Sequence, residues 1–329
     1  MTTVKAFNGK SYAGNPHVRF DEWEVASAAT PRRGSLLYRD MKNIVAVAAI
    51  AVSALCAAVA KPAAKPAQAL GVSADNAAAL RAKIAKTCKI EREDVWHGHS
   101  RIQFRFKGRM AWVVAPSVAP LDGTPWTWTM QWAEAFVERT GVPALLKSGF
   151  HHVTIDLYPT RMDDTGIAAA AEFQDFLVRE LGFAPKANLI GMSWGGFFSI
   201  RYAAAHPGNV RRIYLDAPLL SFQRFRAAAN ARGIGSWFAS RPSDGEWRKD
   251  PRMPVNMAGA VAKAGIPILL LYGGKDDVVP PDENCRPFAA AFKVAGGKIE
   301  EHCRPAYGHH PHGADPGKLG VITGFFTAK

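Results

Sequence analysis

The chain has 329 residues, of which 48% are hydrophobic and 21% charged, and its formal net charge is +13. This composition excludes a disordered chain and is sufficient for one large domain. The basic residues are scattered, and no zinc-finger spacing or aromatic RNA-binding motif accompanies them. The charge therefore favours a solvated basic surface over nucleic-acid binding.

An apolar, alanine-rich segment follows Met41. One lysine precedes an uncharged run that ends in Ala58-Val59-Ala60, with small residues at the positions that a signal peptidase reads, which is the layout of a secretory signal. We therefore expect a signal peptide at 41–60, export to the periplasm or the extracellular space, and no stable membrane insertion after processing. Residues 1–40 contain no evident domain and are expected to be a spurious upstream extension. A membrane anchor and a buried helix are the alternatives for the apolar segment.

Residues 61–94 are predicted to form a flexible linker and one amphipathic helix, the helix at 73–88. The main domain is predicted at 95–329 and opens with two strands. In the first, apolar residues alternate with polar ones from Ile102 to Phe106; the second is a continuous apolar run that begins at Met110.

From residue 150 onward, apolar segments of strand length alternate with segments of helix length. This alternation is typical of a mainly parallel sheet with helices on both faces. We expect a doubly wound α/β fold of about eight strands. The predicted strands are 150–158, 187–192, 211–218, 266–274 and 298–303, and the predicted helices are 167–182, 195–206, 287–297 and 318–326.

One long interval, from 219 to about 264, interrupts this alternation. It contains no predicted strand, and it holds several aromatic residues, among them Phe222 and Trp237. A connection of this length inside a domain is usually functional or disordered. We expect a small helical cap over a cleft.

A serine between glycines, in "GMSWGG", lies where a predicted strand meets a predicted helix. A nucleophile elbow requires this context, because its tight turn lifts the serine hydroxyl above the sheet. Side chains at Gly191 and Gly195 are expected to collide in such a turn. Ser193 is therefore the candidate nucleophile, and the backbone amide of Trp194 is a candidate oxyanion donor. The same glycines could instead be ordinary turn residues near a strand end.

A nucleophilic serine needs a histidine base and an acid that orients the histidine. Asp276 and Asp277 follow the predicted strand at 266–274, and Asp276 is the preferred acid. Asp216, after an earlier strand, is the alternative. The preferred base is His309, in the loop after the last predicted strand.

The His-His-x-His stretch at 309–312 also has the composition of a metal site. It lacks a matching carboxylate or cysteine set, so no metal ligand is predicted there. No cofactor is predicted. His151 and His152 lie within a predicted strand and are expected to be structural.

Ser193, Asp276 and His309 follow one another in this order, each after a predicted strand, and the chain thereby resembles the α/β-hydrolase superfamily. The stretches "GMSWGG", "GGKDDVVP" and "GHHPHGADP" are similar to its motifs, and "APLDGTPWTWTMQW" is similar to a stretch of exported bacterial serine esterases. The resemblance extends from about residue 95 to the C-terminus. It implies a catalytic triad of these three residues and hydrolysis through an acyl-enzyme.

The oxyanion loop departs from the superfamily pattern, because no His-Gly-Gly follows the strand that ends at Pro116. The second oxyanion donor is therefore expected to be the backbone amide of Ser117 or Val118.

Trp126, Trp128 and Trp194 are expected to line the cleft and contact the substrate, since aromatic faces suit sugar rings and phenolic acyl groups. The basic charge favours acidic polysaccharides. We predict a serine carboxylic-ester hydrolase acting on a small-molecule or polysaccharide ester, with an acetyl or feruloyl group as the first choice. Lipase-like or peptidase activity on the same triad, or a non-catalytic carbohydrate-binding protein on the same fold, are the alternatives.

Cys285 follows the loop of the predicted acid, and Cys303 precedes the loop of the predicted base. An exported protein matures in an oxidising compartment, where such a pair is expected to form a disulfide. Two free thiols are the alternative.

Overall fold

The computed structural model describes residues 66–222, 237 and 249–328, with side chains of the first helix described from residue 75 onward. The predicted signal peptide and upstream extension lie outside the described residues and, like export, stay predictions. Most of the predicted cap lies outside them as well. Within the described part of the chain, no helix combines the length and the hydropathy of a membrane span.

The described residues form one nine-stranded sheet. Its strands are β1 (Lys89–Trp96), β2 (His99–Phe106), β3 (Arg109–Val114), β4 (Trp126–Gln131), β5 (His151–Ile155), β6 (Ala187–Met192), β7 (Val210–Asp216), β8 (Ile268–Gly273) and β9 (Ile299–Arg304).

Seven α-helices flank the sheet in the described ranges. They are α1 (Pro66–Ile84), α2 (Val142–Lys147), α3 (Asp164–Phe176), α4 (Trp194–Ala205), α5 (Ala258–Lys263), α6 (Cys285–Val294) and α7 (Gly320–Thr327). A π-helical turn, Leu177–Leu181, continues α3.

The strands lie in the order β1-β2-β3-β5-β4-β6-β7-β8-β9. The pairs β1–β2, β2–β3 and β3–β5 are antiparallel, and every pair from β5–β4 to β8–β9 is parallel. The carboxyl ends of six parallel strands therefore meet at one edge, which is where open α/β sheets place their sites. The predicted mainly parallel α/β fold is confirmed.

Two apolar layers cover the two faces of the sheet. One layer contains residues of α1, α3, α4, α5 and α6, and the other contains residues of α2 and α7. The central strands β6 and β8 are buried along their whole length, which explains their continuous apolar sequence. The layers enclose the central strands, and the loops at the carboxyl ends of these strands project from this packed support.

Two strands were missed by the sequence analysis. β1 begins inside the predicted linker segment 61–94 and ends two residues beyond it, and the predicted helix at 73–88 begins earlier, at Pro66, and ends at Ile84. β4 is the stretch "WTWTMQ", in which large apolar side chains alternate with polar ones. This period of two is a strand signal within the sequence itself.

The cap is predicted at about 219–264, and α5 lies at the C-terminal end of this interval. Its residues Ala258, Val261 and Ala262 are buried in the core layer that also contains α4 and α6. This helix therefore belongs to the covering of the sheet. The predicted cap itself falls largely on residues outside the described ranges and stays a prediction.

Candidate active site

Ser193 occupies a strained turn between β6 and α4. Its backbone has φ 48° and ψ −118°, a region that non-glycine residues rarely adopt. Three backbone hydrogen bonds hold the turn: the Ser193 amide donates to the carbonyl of Asp216, and the Ser193 carbonyl accepts from the amides of Gly196 and Leu219. The surrounding strands thus maintain a conformation that places the hydroxyl at the carboxyl edge of the sheet.

Two glycines are sterically required by this turn. A Cβ at Gly191 would lie 2.7 Å from Ser199 Oγ, and one at Gly196 would lie 2.2 Å from Pro218 Cβ. A Cβ at Gly195 would meet nothing closer than 3.4 Å, which is ordinary contact. The predicted collision is therefore present at Gly191 but wrong for Gly195, and Gly196 is the second restricted position.

The structure brings the three predicted triad residues together. His309 Nε2 lies 3.1 Å from Ser193 Oγ, and His309 Nδ1 lies 2.8 Å from Asp276 Oδ2. All three side chains are buried. With a proton on Nδ1 donated to the carboxylate, Nε2 presents its lone pair to the serine hydroxyl, which is the arrangement that a general base requires.

Backbone amides fix the orientation of the acid. Asp276 Oδ1 accepts from the amides of Val278, at 3.0 Å, and Val279, at 2.7 Å, leaving Oδ2 for the histidine. The neighbouring Asp277 is exposed. The structure therefore brings Asp276, and not Asp277, to His309.

A second aspartate–histidine pair lies beside the first. Asp216 Oδ1 is 2.9 Å from His312 Nδ1 and 3.2 Å from Arg304 Nη2. The other oxygen, Oδ2, accepts from the Tyr214 hydroxyl at 2.5 Å and the Gly313 amide at 2.8 Å. Asp216, the alternative acid of the sequence analysis, thus holds the loop that carries the candidate base.

The charges of this second pair follow from burial and from Arg304. Burial alone would raise the pKa of Asp216, but hydrogen bonding from His312 and the guanidinium of Arg304 hold it below its usual value. Burial lowers the pKa of His312. His312 is therefore a neutral ring that donates from Nδ1 to a charged carboxylate.

The comparisons with known proteins identify the fold. Residues 131–244 match the family model for the alpha/beta hydrolase fold. The matched range contains β6, the turn at Ser193 and α4. The chain has the fold of the α/β-hydrolase superfamily. No curated protein sequence gave a significant match.

Solved structures are similar to this chain at low sequence identity. A Bacteroides ovatus protein classed as a candidate dipeptidyl aminopeptidase IV is 13% identical over 73% of this chain, with a TM-score of 0.52. An acylaminoacyl peptidase of Pyrococcus horikoshii is 15% identical over 70% of this chain, with a TM-score of 0.47. The chain spans only 35% and 39% of the lengths of these two proteins. Acetyl xylan esterase 1 of a Thermoanaerobacterium species is 17% identical over 77% of this chain and 92% of its own, with a TM-score of 0.49.

The predicted second oxyanion donor of this α/β-hydrolase-fold chain is wrong. β3 runs antiparallel to β5, so Ser117 and Val118, which follow β3, lie at the amino edge of the parallel strands. Ser193 lies at the carboxyl edge. The Ser117 amide also donates to the Leu146 carbonyl at 3.4 Å.

β4 supplies the loop that does reach the candidate nucleophile, Ser193. Its last residue, Gln131, is in register with Gly191, two residues before Ser193, and the Gln131 backbone approaches Gly195. The next amide in the chain is that of Trp132, whose φ is 63°. The missed strand β4 was the signal that would have directed the sequence analysis to this loop.

The predicted substrate contacts of Trp126 and Trp128 are also wrong. Both side chains are fully buried in the core, and Trp128 packs edge-on against Phe173 and Tyr202. The reason is the pleat of β4, which points both rings toward the layer of α3 and α4. Trp194, at the start of α4, is only half-buried and stays a candidate.

The predicted disulfide is not formed. Cys285 and Cys303 are free thiols, the first enclosed in the core and the second exposed on the edge strand β9. Backbone hydrogen bonds join the acid loop to the histidine loop instead. The amide of Gly274 donates to the Arg304 carbonyl at 3.0 Å, and the amide of Lys275 donates to the Tyr307 carbonyl at 2.9 Å.

His151 and His152 are buried within β5, away from the carboxyl edge. His152 Nδ1 lies 2.8 Å from the Thr127 hydroxyl, and the His151 ring packs against Phe183. Burial lowers the pKa of each to about 3. The two side chains contribute to packing and not to the candidate active site.

Proposed function

We propose that the protein is a serine hydrolase that cleaves carboxylic esters through an acyl-enzyme. The supporting observation is the continuous chain of contacts from Ser193 Oγ through His309 to Asp276 at the edge of a rigid sheet. A serine activated in this way is a nucleophile toward carbonyl carbon.

The proposed reaction uses the atoms of this chain in a fixed order. His309 Nε2 takes the proton of Ser193 as Oγ attacks the ester carbonyl, and Asp276 stabilises the imidazolium that forms. His309 then returns the proton to the leaving alcohol, and a water molecule releases the acid by the same steps in reverse. The amides of Trp194 and Trp132 are our candidates for the oxyanion donors, since Trp194 begins α4 and its amide has no intrahelical acceptor.

Three half-buried aromatic residues at the carboxyl edge suggest the class of ester. The Trp132 and Tyr158 rings are 5.1 Å apart, and the Tyr158 and Trp194 rings are 6.0 Å apart and perpendicular. Arg161 stacks on Tyr158 at 3.6 Å and brings a positive charge to this cluster. Flat rings beside a cation suit a feruloyl group or a sugar, so an acetyl or feruloyl ester of a polysaccharide is the proposed substrate.

Covalent labelling with a fluorophosphonate tests the nucleophile. The wild-type protein should incorporate one label, and Ser193→Ala should incorporate none. Ser148→Ala, which alters an exposed serine elsewhere, is the matched control and should label normally. Absence of labelling in the wild-type protein, or normal labelling of Ser193→Ala, contradicts the proposed triad.

Turnover of a substrate panel tests the ester specificity. Acetyl and feruloyl esters should react faster than a long-chain ester or an aminoacyl anilide. Ser193→Ala and His309→Ala should each lower kcat by about a million-fold, and the double variant should be no worse, because the residues act as one unit. Faster cleavage of the anilide would retain the triad and overturn the ester assignment.

A further inference from the structure

A cluster of three histidines lies in the loop after β9. One ring nitrogen from each of His309, His310 and His312 can be chosen so that all three atoms lie within 4.8 Å of one another. The three ring centroids are 4.8 to 4.9 Å apart in every pair. Imidazole nitrogens at this spacing are the ligand set that zinc and similar transition metals prefer.

Two of the rings are already oriented as metal ligands are. His309 Nδ1 contacts Asp276 at 2.8 Å and His312 Nδ1 contacts Asp216 at 2.9 Å, so each Nδ1 is engaged by a buried carboxylate. A carboxylate behind a ligating histidine fixes its tautomer and raises its basicity. Each Nε2 is therefore left as the ligand atom.

A second, independent observation concerns His312 Nε2, which is buried without a hydrogen-bond partner in the described part of the chain. The His312 ring is 2% exposed. A buried polar atom without a partner is uncommon and calls for an explanation. A cation bound between the three rings would satisfy it.

We propose that His309, His310 and His312 form a binding site for a divalent transition metal such as Zn²⁺, and that the bound metal inhibits the hydrolase. His309 Nε2 also faces Ser193 Oγ at 3.1 Å. Its lone pair can serve only one acceptor role at a time, so a bound metal leaves Ser193 protonated and without a base. The inhibitory consequence rests on the proposed function, whereas the metal site does not.

The ligand type predicts the selectivity of this site. Zn²⁺ accepts imidazole nitrogens at about 2.0–2.1 Å, so the three nitrogen atoms, which span up to 4.8 Å, must turn closer together on binding. His310 is the exposed member of the three, and its ring stacks on Phe136 at 5.5 Å, so its rotation exchanges this stack for the metal. Mg²⁺ and Ca²⁺ require oxygen ligands, and we expect neither to bind here.

Calorimetry on the full-length chain without an affinity tag, stripped of metal beforehand, tests the site directly. We expect one Zn²⁺ per chain at neutral pH and no heat with Mg²⁺. His310→Ala should weaken Zn²⁺ binding by about tenfold or more, by analogy with the loss seen when a ligand's support is removed. The matched control His302→Ala, whose side chain is 40% exposed and pairs with Glu300, should bind normally.

Fluorophosphonate labelling in the presence of Zn²⁺ tests the inhibition. Zn²⁺ should slow labelling of Ser193 in the wild-type protein, a chelator should restore it, and His310→Ala should require a higher Zn²⁺ concentration for the same effect. The metal site is overturned if the stripped protein binds no Zn²⁺ or if His310→Ala binds it as tightly as the wild type. The inhibition is overturned if saturating Zn²⁺ leaves labelling unchanged. Both results are distinguishable from failure of the proposed function, in which the metal-free protein does not label.

Discussion

Asp216 Oδ1 lies 2.9 Å from His312 Nδ1, only three residues beyond the candidate catalytic base His309. The same carboxylate accepts from Arg304 and from the Gly313 amide, so β7 anchors the histidine loop at several points. Asp276 contacts His309 itself. One aspartate therefore orients the base, and the other positions the loop on which the base lies.

These separate roles predict different effects for the two acids. Asp276→Asn should lower kcat by about 10,000-fold, because the wrong tautomer of His309 is then favoured. Asp216→Asn should lower kcat by about 100-fold through displacement of the loop. It should also lower the free energy of unfolding by about 3 kcal/mol, since Arg304 loses a buried charge partner.

Steady-state kinetics on one ester and urea unfolding of both variants provide the measurements. A larger kcat loss in Asp216→Asn than in Asp276→Asn would make Asp216 the acid of the triad.

Substitution by alanine should be tolerated at Gly195 but not at the adjacent Gly196. Gly196→Ala places a methyl group 2.2 Å from Pro218 Cβ, and the resulting overlap should destabilise the fold by about 1–3 kcal/mol. Gly195→Ala meets only ordinary contacts and should change stability by less than about 1 kcal/mol. Urea denaturation of the two variants compares them directly. Equal destabilisation would contradict the steric reason given for Gly196.

Acid should destabilise the protein through His151 and His152. Each folded pKa is about 3, below the unfolded value of 6.5, so the unfolded chain binds more protons between these values. Stability is therefore complete above pH 6.5 and falls as the pH drops toward 3. The free energy of unfolding of the wild-type protein should fall between pH 8 and pH 5. In His151→Phe, which replaces a ring packed on Phe183, this fall should be smaller by about 2 kcal/mol.

Unfolding free energies measured at pH 8 and pH 5 check this effect, with His302→Phe as the control. An unchanged pH dependence in His151→Phe would show that the buried ring does not titrate on unfolding.

Cys285 and Cys303 should be alkylated at different rates in the native protein, without any reductant. Burial, together with the nearby charge of Asp276, raises the pKa of the Cys285 thiol well above its usual value, and the side chain is fully enclosed. Cys303 is exposed. Iodoacetamide should therefore modify Cys303 in the native protein and Cys285 only after unfolding. Mass spectrometry locates the modified residues. If neither Cys285 nor Cys303 reacts until a reductant is added, the two cysteines form a disulfide after all.

Local patterns in the sequence were sufficient for the α/β alternation and for the three residues that the structure brings together. Each of Ser193, Asp276 and His309 follows its own strand, and the strand period and the turn residues are set within a few positions along the chain. In a parallel sheet, every such strand end reaches the same edge. The grouping of the three side chains could therefore be predicted without knowing the order of the strands.

Only the tertiary structure decided which other residues reach that edge. Ser117 follows a strand, but the direction of that strand depends on its pairing with β5. Trp126 and Trp128 have the residue type of a substrate contact, but the packing of β4 against α3 and α4 buries them. The pairing of Asp216 with His312 joins residues 96 positions apart. Strand order, strand direction and the face that each side chain takes arise from contacts between distant segments, which no local pattern in a single sequence contains.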